Sequence, residues 1–227
     1  MERQISSENQ VDSNLDVSSL VVPVGGIGSY PTMVMRSTAI DWLTDTIAHE
    51  WIHNWLTLRP LGMNYYTTPE MRTMNETTAS IAGREIGMLV LKGYYPELAT
   101  SYELEAVNLS PSSTHGDFNF NTEMHITRVH VDELLAQGKI TEAESYMEQR
   151  RQFIWNQGCS QCAIRKLNQA YFSFYGAYAD TPGGAAGEDL VGPAVRALRA
   201  QSATLADFLK TIARMDSFEQ LQAVTSP

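Results

Sequence analysis

The chain has 227 residues, 43% of them hydrophobic, which is enough to bury a substantial core and excludes disorder as its class. Its 26 acidic against 16 basic side chains leave a formal charge of -10, which excludes a general nucleic-acid or anionic-membrane surface because either needs a basic patch. The two cysteines make no disulfide framework. No apolar run approaches the roughly 18 residues of a membrane span, and the N-terminus MERQISSENQVDSNLD is polar where a signal peptide needs an apolar core. These features predict a cytoplasmic protein if the chain is complete, or a soluble part of a longer membrane-associated or exported one.

Residues 1–18 read as a flexible lead-in, and 19–227 as one mainly helical domain with a small N-terminal β element. That element occupies 20–35, where Leu20 to Val24 and Tyr30 to Val34 form short strand pieces around Gly25, Gly26 and Gly28, and the prolines favour an edge position. Two helices follow over 38–91. The first is opened by Thr38 or Asp41, carries Ile40, Leu43, Ile47, Trp51 and Trp55 as apolar anchors, and ends before Pro60. The second starts near Thr73 to Asn75 and reaches Leu91. Residues 93–121 are rich in Pro, Ser, Asn and Tyr and read mainly as loop. A C-terminal helical part spans 121–223: a helix from Asn121 to Gln137, a turn at Gly138, a helix opened by a Thr141/Glu144 capping box, a helix over 160–179, the loop TPGGAAGED and two short closing helices.

AHEWIHNWL, from Ala48 to Leu56, carries the chemistry. On a helix His49 and His53 stand one turn apart and can converge on one ion, while Glu50 lies about 100° round the helix within reach of a metal-bound water. Zn²⁺ held in this way lowers the pKa of its water, and a carboxylate can take the proton as the water attacks a carbonyl. The same five residues also arise by chance in amphipathic helices. However, only five histidines occur in the chain, and two imidazoles buried among aromatic side chains need a partner. No third ligand follows directly, since Asn54 to Arg59 holds neither glycine nor histidine. Glu76, 23 residues after His53, fits best, because Ala79, Ser80 and Ala82 let its helix pack close to the first. Glu70 and Glu85 are the rivals, one in a proline-containing loop and the other deeper and beside Arg84.

HEWIHNW followed by NETTASIAGRE resembles the gluzincin superfamily of zinc metallopeptidases, the thermolysin-like and aminopeptidase-like enzymes. The resemblance covers about residues 20–90 and implies a zincin-like catalytic domain. It implies His49, His53 and Glu76 as zinc ligands, Glu50 as general base, a peptide as substrate and an aminopeptidase-like activity. It also implies that GGIGSYPTMV is an edge strand beside the bound peptide, with Gly26, Gly28 and Ser29 as substrate-binding positions. Ser80 departs from the pattern, standing where an aspartate often supports a ligand histidine; Asp41 and Asp45 are possible replacements. The oxyanion donor expected of such a site is Tyr175 or Tyr178, which recur with Tyr171 at helical spacing, or else His125 or His130. An aromatic packing stripe is the competing assignment for these tyrosines. Glu103, Glu105 and Glu123 are candidates for binding a substrate amine. Cys159 and Cys162 form CSQC without the surroundings of a redox or zinc site and read as packed thiols or an incidental disulfide. A domain that keeps the fold and binds peptides without turnover is the alternative to an enzyme.

Overall fold

The computed structural model describes residues 2–100, 114–115, 118–157, 164–181 and 190–225. In chain order the elements are α1 (Glu2–Leu15), β1 (Gly26–Ile27), β2 (Met33–Val34), α2 (Ile40–Leu56), α3 (Pro60–Met63), α4 (Pro69–Tyr94), β3 (Thr114–His115), β4 (Phe118–Asn119), α5 (Phe120–Ala136), α6 (Ile140–Asn156), α7 (Gln169–Tyr175), α8 (Val191–Gln201), α9 (Leu205–Ile212) and α10 (Phe218–Thr225). The fold is mainly helical with a small antiparallel β element near the N-terminus, as expected. The chain gathers into two compact units, each with its own apolar core. None of the described helices is long and apolar enough to cross a membrane.

The larger unit contains β1, β2, α2 to α4 and α8 to α10. Its core joins Ile52 and Leu56 of α2, Leu61 of α3, Met71 and Met74 of α4, and Val195, Phe208, Ile212 and Leu221 of the closing helices. α4 is opened by Thr68, whose side chain accepts from Met71 N, with Pro69 in its first turn. A cap and a proline with preset φ together place the start four residues earlier than the expected Thr73. α2 and α4 run antiparallel in close contact. A Cβ added to Gly83 would lie 2.8 Å from Asp45 O and 3.1 Å from His49 Cβ, and one added to Gly87 would collide with the Asp45 carboxylate. The outer face of α2 corrects the expected anchors: Ile47 and Trp51 are exposed, while Ala48, Ile52 and Leu56 are buried. β1 and β2 pair antiparallel, Gly26 opposite Val34 and Ile27 opposite Met33. Leu20 to Val24 is not strand.

The smaller unit contains α1 and β3 to α7. Its core includes Met124, Val131, Met147, Ile154, Tyr171 and Phe172, with Tyr175 packed against it. The expected lead-in is largely helix. α1 has little apolar surface and is held by charge instead: Glu8 is buried and takes both guanidinium nitrogens of Arg165, and Asp12 receives Lys166 Nζ at 2.8 Å. α6 begins at Ile140 with Lys139 as its cap residue and no capping side chain, so the Thr141/Glu144 box does not open it. α7 is capped by Asn168 and ends at Gly176, shorter than the helix expected over 160–179. Cys159, Cys162, Glu103 and Glu105 lie outside the described residues.

Candidate metal centre

All of the site lies in the larger unit. α2 puts His49 and His53 on one side, and α4 brings Glu76 against them because Ala79, Gly83 and Gly87 let the two backbones approach. The His49 and His53 Nε2 atoms are 2.9 Å apart, and Glu76 Oε2 lies 3.4 Å from the first and 3.2 Å from the second. Tetrahedral zinc at about 2.0 to 2.1 Å from its ligands spaces the donor atoms by about 3.3 Å, so the three atoms already stand at ligand separation. Among the described residues they are the one such group of three or more His, Cys, Asp or Glu side chains.

The protonation pattern also fits a cation. Asn75 donates its amide to Leu61 O at 3.4 Å, so Oδ1 faces His53 Nδ1 at 2.8 Å and takes its proton. His53 Nε2 is then left with a lone pair. His49 Nδ1 has a longer contact, 3.4 Å to Ser80 Oγ. Glu76 Oε2 is buried without a hydrogen bond among the described residues, while Oε1 accepts from Tyr65 Oη. His49 Nε2, His53 Nε2 and Glu76 Oε2 thus point at one another, and a proton or a metal ion must sit among them. The shifts express the same demand: burial opposes charging His53, yet the Glu76 carboxylate beside it wins and raises its pKa above the ordinary 6.5. Burial likewise opposes charging Glu76, but the His49 and His53 imidazoles facing it and the Tyr65 hydroxyl carry its pKa well below the carboxylate range. Two imidazoles and one carboxylate are a zinc donor set.

Glu50 is 8% exposed, and its burial raises its pKa above that of an ordinary carboxylate. The β element covers it. A Cβ on Gly26 would lie 2.5 to 2.8 Å from the Glu50 side chain, and one on Gly28 would lie 2.7 Å from His53 Cβ. These two glycines are required by close approach, and they bring the strand backbone against Glu50 and His53. Asn54 Nδ2 ties the hairpin down through Ser29 O at 3.1 Å and Thr32 Oγ1 at 2.5 Å. Ser29 is a turn residue: its N–H donates to Ile27 O and its hydroxyl to Pro31 O.

The tyrosines divide. Tyr178 stacks on His49 with ring centroids 6.1 Å apart, and burial, reinforced by the charges of Glu76 and Glu50 and by Tyr65, pushes its phenol well above its ordinary value. Tyr175 packs against Tyr171 at 4.5 Å in the core of the smaller unit. The helix ends before Tyr178, so the two do not share a helical face. His130 sits edge to face on Tyr146 at 4.5 Å, and His125 is exposed. Glu70 is exposed in the first turn of α4, Glu85 forms a double hydrogen bond with Arg199 at 2.6 and 2.8 Å, and Glu123 pairs with Arg150. The rivals to Glu76 are thereby engaged elsewhere or open to solvent. Asp45 packs against Gly87 of α4. Sequence reasoning missed Tyr65 and Asn75; the adjacency of Asn75 to Glu76 was the only available signal, and Tyr65 had none.

A mainly helical fold with a small β edge, carrying HExxH on α2 and a glutamate on α4, has the ligand geometry of the HExxH zinc metallopeptidases. No protein-family model, curated protein or solved structure matches the chain.

Proposed function

We propose that the protein hydrolyses peptide bonds with Glu50 as general base and a preference for free N-termini. The observation that carries the first half is the position of Glu50, a buried carboxylate with a raised pKa beside the His49/His53/Glu76 cluster and under the strand at Gly26. The preference rests on the resemblance of HEWIHNW and NETTASIAGRE to the aminopeptidase-like enzymes. Zinc held by His49, His53 and Glu76 would supply Lewis acidity to the water and the scissile carbonyl. Glu50 takes the proton from the attacking water and returns it to the leaving amine. Tyr178, kept protonated by its surroundings, donates its hydroxyl to the developing oxyanion. An extended peptide lies along Gly26 and Gly28, adding main-chain hydrogen bonds to the hairpin, with the Ser29 turn at its end.

Ser80, whose hydroxyl is 3.4 Å from His49 Nδ1, favours a second reading. A serine supports the ligand less strongly than an aspartate would, as in a domain that binds peptides without turning them over. Glu50→Gln decides between the two. In zinc-loaded protein, a peptide library with free and blocked N-termini should be cut at free ends. The variant should keep its zinc and lose about 10² to 10⁴-fold in turnover. Equal cleavage of blocked peptides sinks the aminopeptidase preference, and a wild-type chain that binds peptides without cutting them supports the second reading.

A further inference from the structure

We propose that Tyr65 is a positioning residue that keeps Glu76 a one-oxygen metal ligand. The inference rests on the assignment of His49, His53 and Glu76 as the zinc site. Tyr65 lies in the segment between α3 and α4, its ring 6.3 Å from that of His53 and 4.7 Å from that of Tyr66, with the Arg72 guanidinium 5.9 Å from its ring. Its hydroxyl donates to Glu76 Oε1. The other oxygen, Oε2, is the one that faces both imidazole nitrogens, at 3.4 and 3.2 Å.

A carboxylate can grip a metal with one oxygen or with both, and the choice decides how many positions stay open for water and substrate. A hydrogen bond from a rigid phenol commits Oε1 and turns the carboxyl plane so that Oε2 alone points at the histidines. Three protein donors would then take three positions on a bound zinc and leave the fourth open, as a catalytic zinc site requires. Without the hydroxyl the carboxylate can swing and chelate, which crowds that position and loosens the geometry fixed by the partner. Nothing in this role needs Tyr65 to touch the substrate.

Two measurements test it on the full chain. First, zinc affinity is measured by chelator competition and the visible absorption is recorded with Co²⁺ in place of Zn²⁺, for wild type, Tyr65→Phe and Tyr66→Phe. Wild type and Tyr66→Phe, whose ring is exposed, should show the intense bands of four-coordinate cobalt. Tyr65→Phe should show weaker bands of higher coordination and bind zinc about 10 to 100-fold less tightly, with the metal-free chain still folded by circular dichroism. Second, the infrared difference spectrum of wild type on zinc addition needs no variant to fold. Widely split carboxylate bands report one-oxygen ligation, and narrowly split bands overturn the proposal. A Tyr65→Phe variant equal to wild type in both affinity and cobalt spectrum overturns it as well. A wild-type chain that takes up neither zinc nor cobalt overturns the metal assignment itself.

Discussion

Two buried carboxylates, one in each unit, solve the same problem differently. Glu8 in the smaller unit is 3% exposed and Glu76 in the larger unit is 5% exposed, and both have pKa values below the ordinary carboxylate range. A charge taken out of water at such depth needs an opposite charge and hydrogen bonds on its oxygens. Glu8 has both built in: two guanidinium nitrogens of Arg165, and the backbone N–H of Val21 at 2.6 Å. Glu76 has a phenol on one oxygen and two imidazoles near the other, which hold a positive charge only when protonated. The first carboxylate is complete as folded, whereas the second is complete only when a cation is bound. That difference, rather than burial or a displaced pKa, separates a structural ion pair from a metal site.

Breaking each carboxylate tests this most directly. Glu76→Gln should weaken zinc binding by more than about a hundredfold, since a third of the protein ligand set loses its charge, and should alter the metal-free stability little. Glu8→Gln should leave zinc affinity unchanged and cost about 2 kcal/mol of stability, less than the 3 to 5 of a fully buried pair because Arg165 keeps some contact with water. Chelator competition and thermal unfolding of both variants check the pair of outcomes, and a zinc-neutral Glu76→Gln breaks the comparison. The tyrosines extend it. Tyr178→Phe should lower kcat about a hundredfold with zinc retained, the typical loss of an oxyanion donor. Tyr175→Phe, in an aromatic core, should leave kcat alone and shift stability by no more than about 0.5 kcal/mol.

The sequence showed the metal ligands more readily than it showed their support. The four-residue spacing of His49 and His53 is written directly in the helix period, and the small residues after Glu76 announce a close helix packing. The structure extends that small-residue stripe to Gly83 and Gly87. Which side of α2 faces the core was not legible, because apolar residues surround it: Ile47 and Trp51 repeat as regularly as Ile52 and Leu56, yet only the latter pair is buried. α1 was hidden because charge rather than a periodic apolar face holds it, and its partners Arg165 and Lys166 are more than 150 positions away. Tyr65 is a single residue in a segment without periodicity, placed by tertiary packing alone.

Glycines sharpen the contrast at a smaller scale. Gly26→Ala puts a methyl group within 2.8 Å of the Glu50 carboxyl carbon, so the Glu50 side chain must shift. Turnover should fall about tenfold, since misplacement by a fraction of an ångström already costs catalysis, with zinc affinity unchanged. In the smaller unit Gly138 has a φ of +72° and open space around it. Gly138→Ala should therefore cost about 1 kcal/mol of stability through backbone strain alone, without touching activity. Kinetics and melting curves on the two variants should give opposite patterns.

The most gradual difference should appear on acidification. His53 has its pKa raised above 6.5, and only its neutral form binds metal. Zinc affinity should therefore be level above that raised value and fall about tenfold per pH unit below it, as one proton competes for the site. Asp12 in the smaller unit behaves in the opposite sense. Burial opposes its charge, but Lys166 and Ser19 outweigh it and lower its pKa from 3.8 to about 2. A depressed carboxylate contributes stability above its unfolded pKa and loses it as pH falls through the folded one, so that contribution should disappear between about pH 4 and pH 2. Zinc release followed by fluorescent chelator and unfolding followed by circular dichroism should then separate along one titration, with metal leaving first from an intact fold. Coincidence of the two transitions would mean that the metal site and the ion-paired helix fail together, and that the cation held at Glu76 is as much a part of the fold as Arg165 is at Glu8.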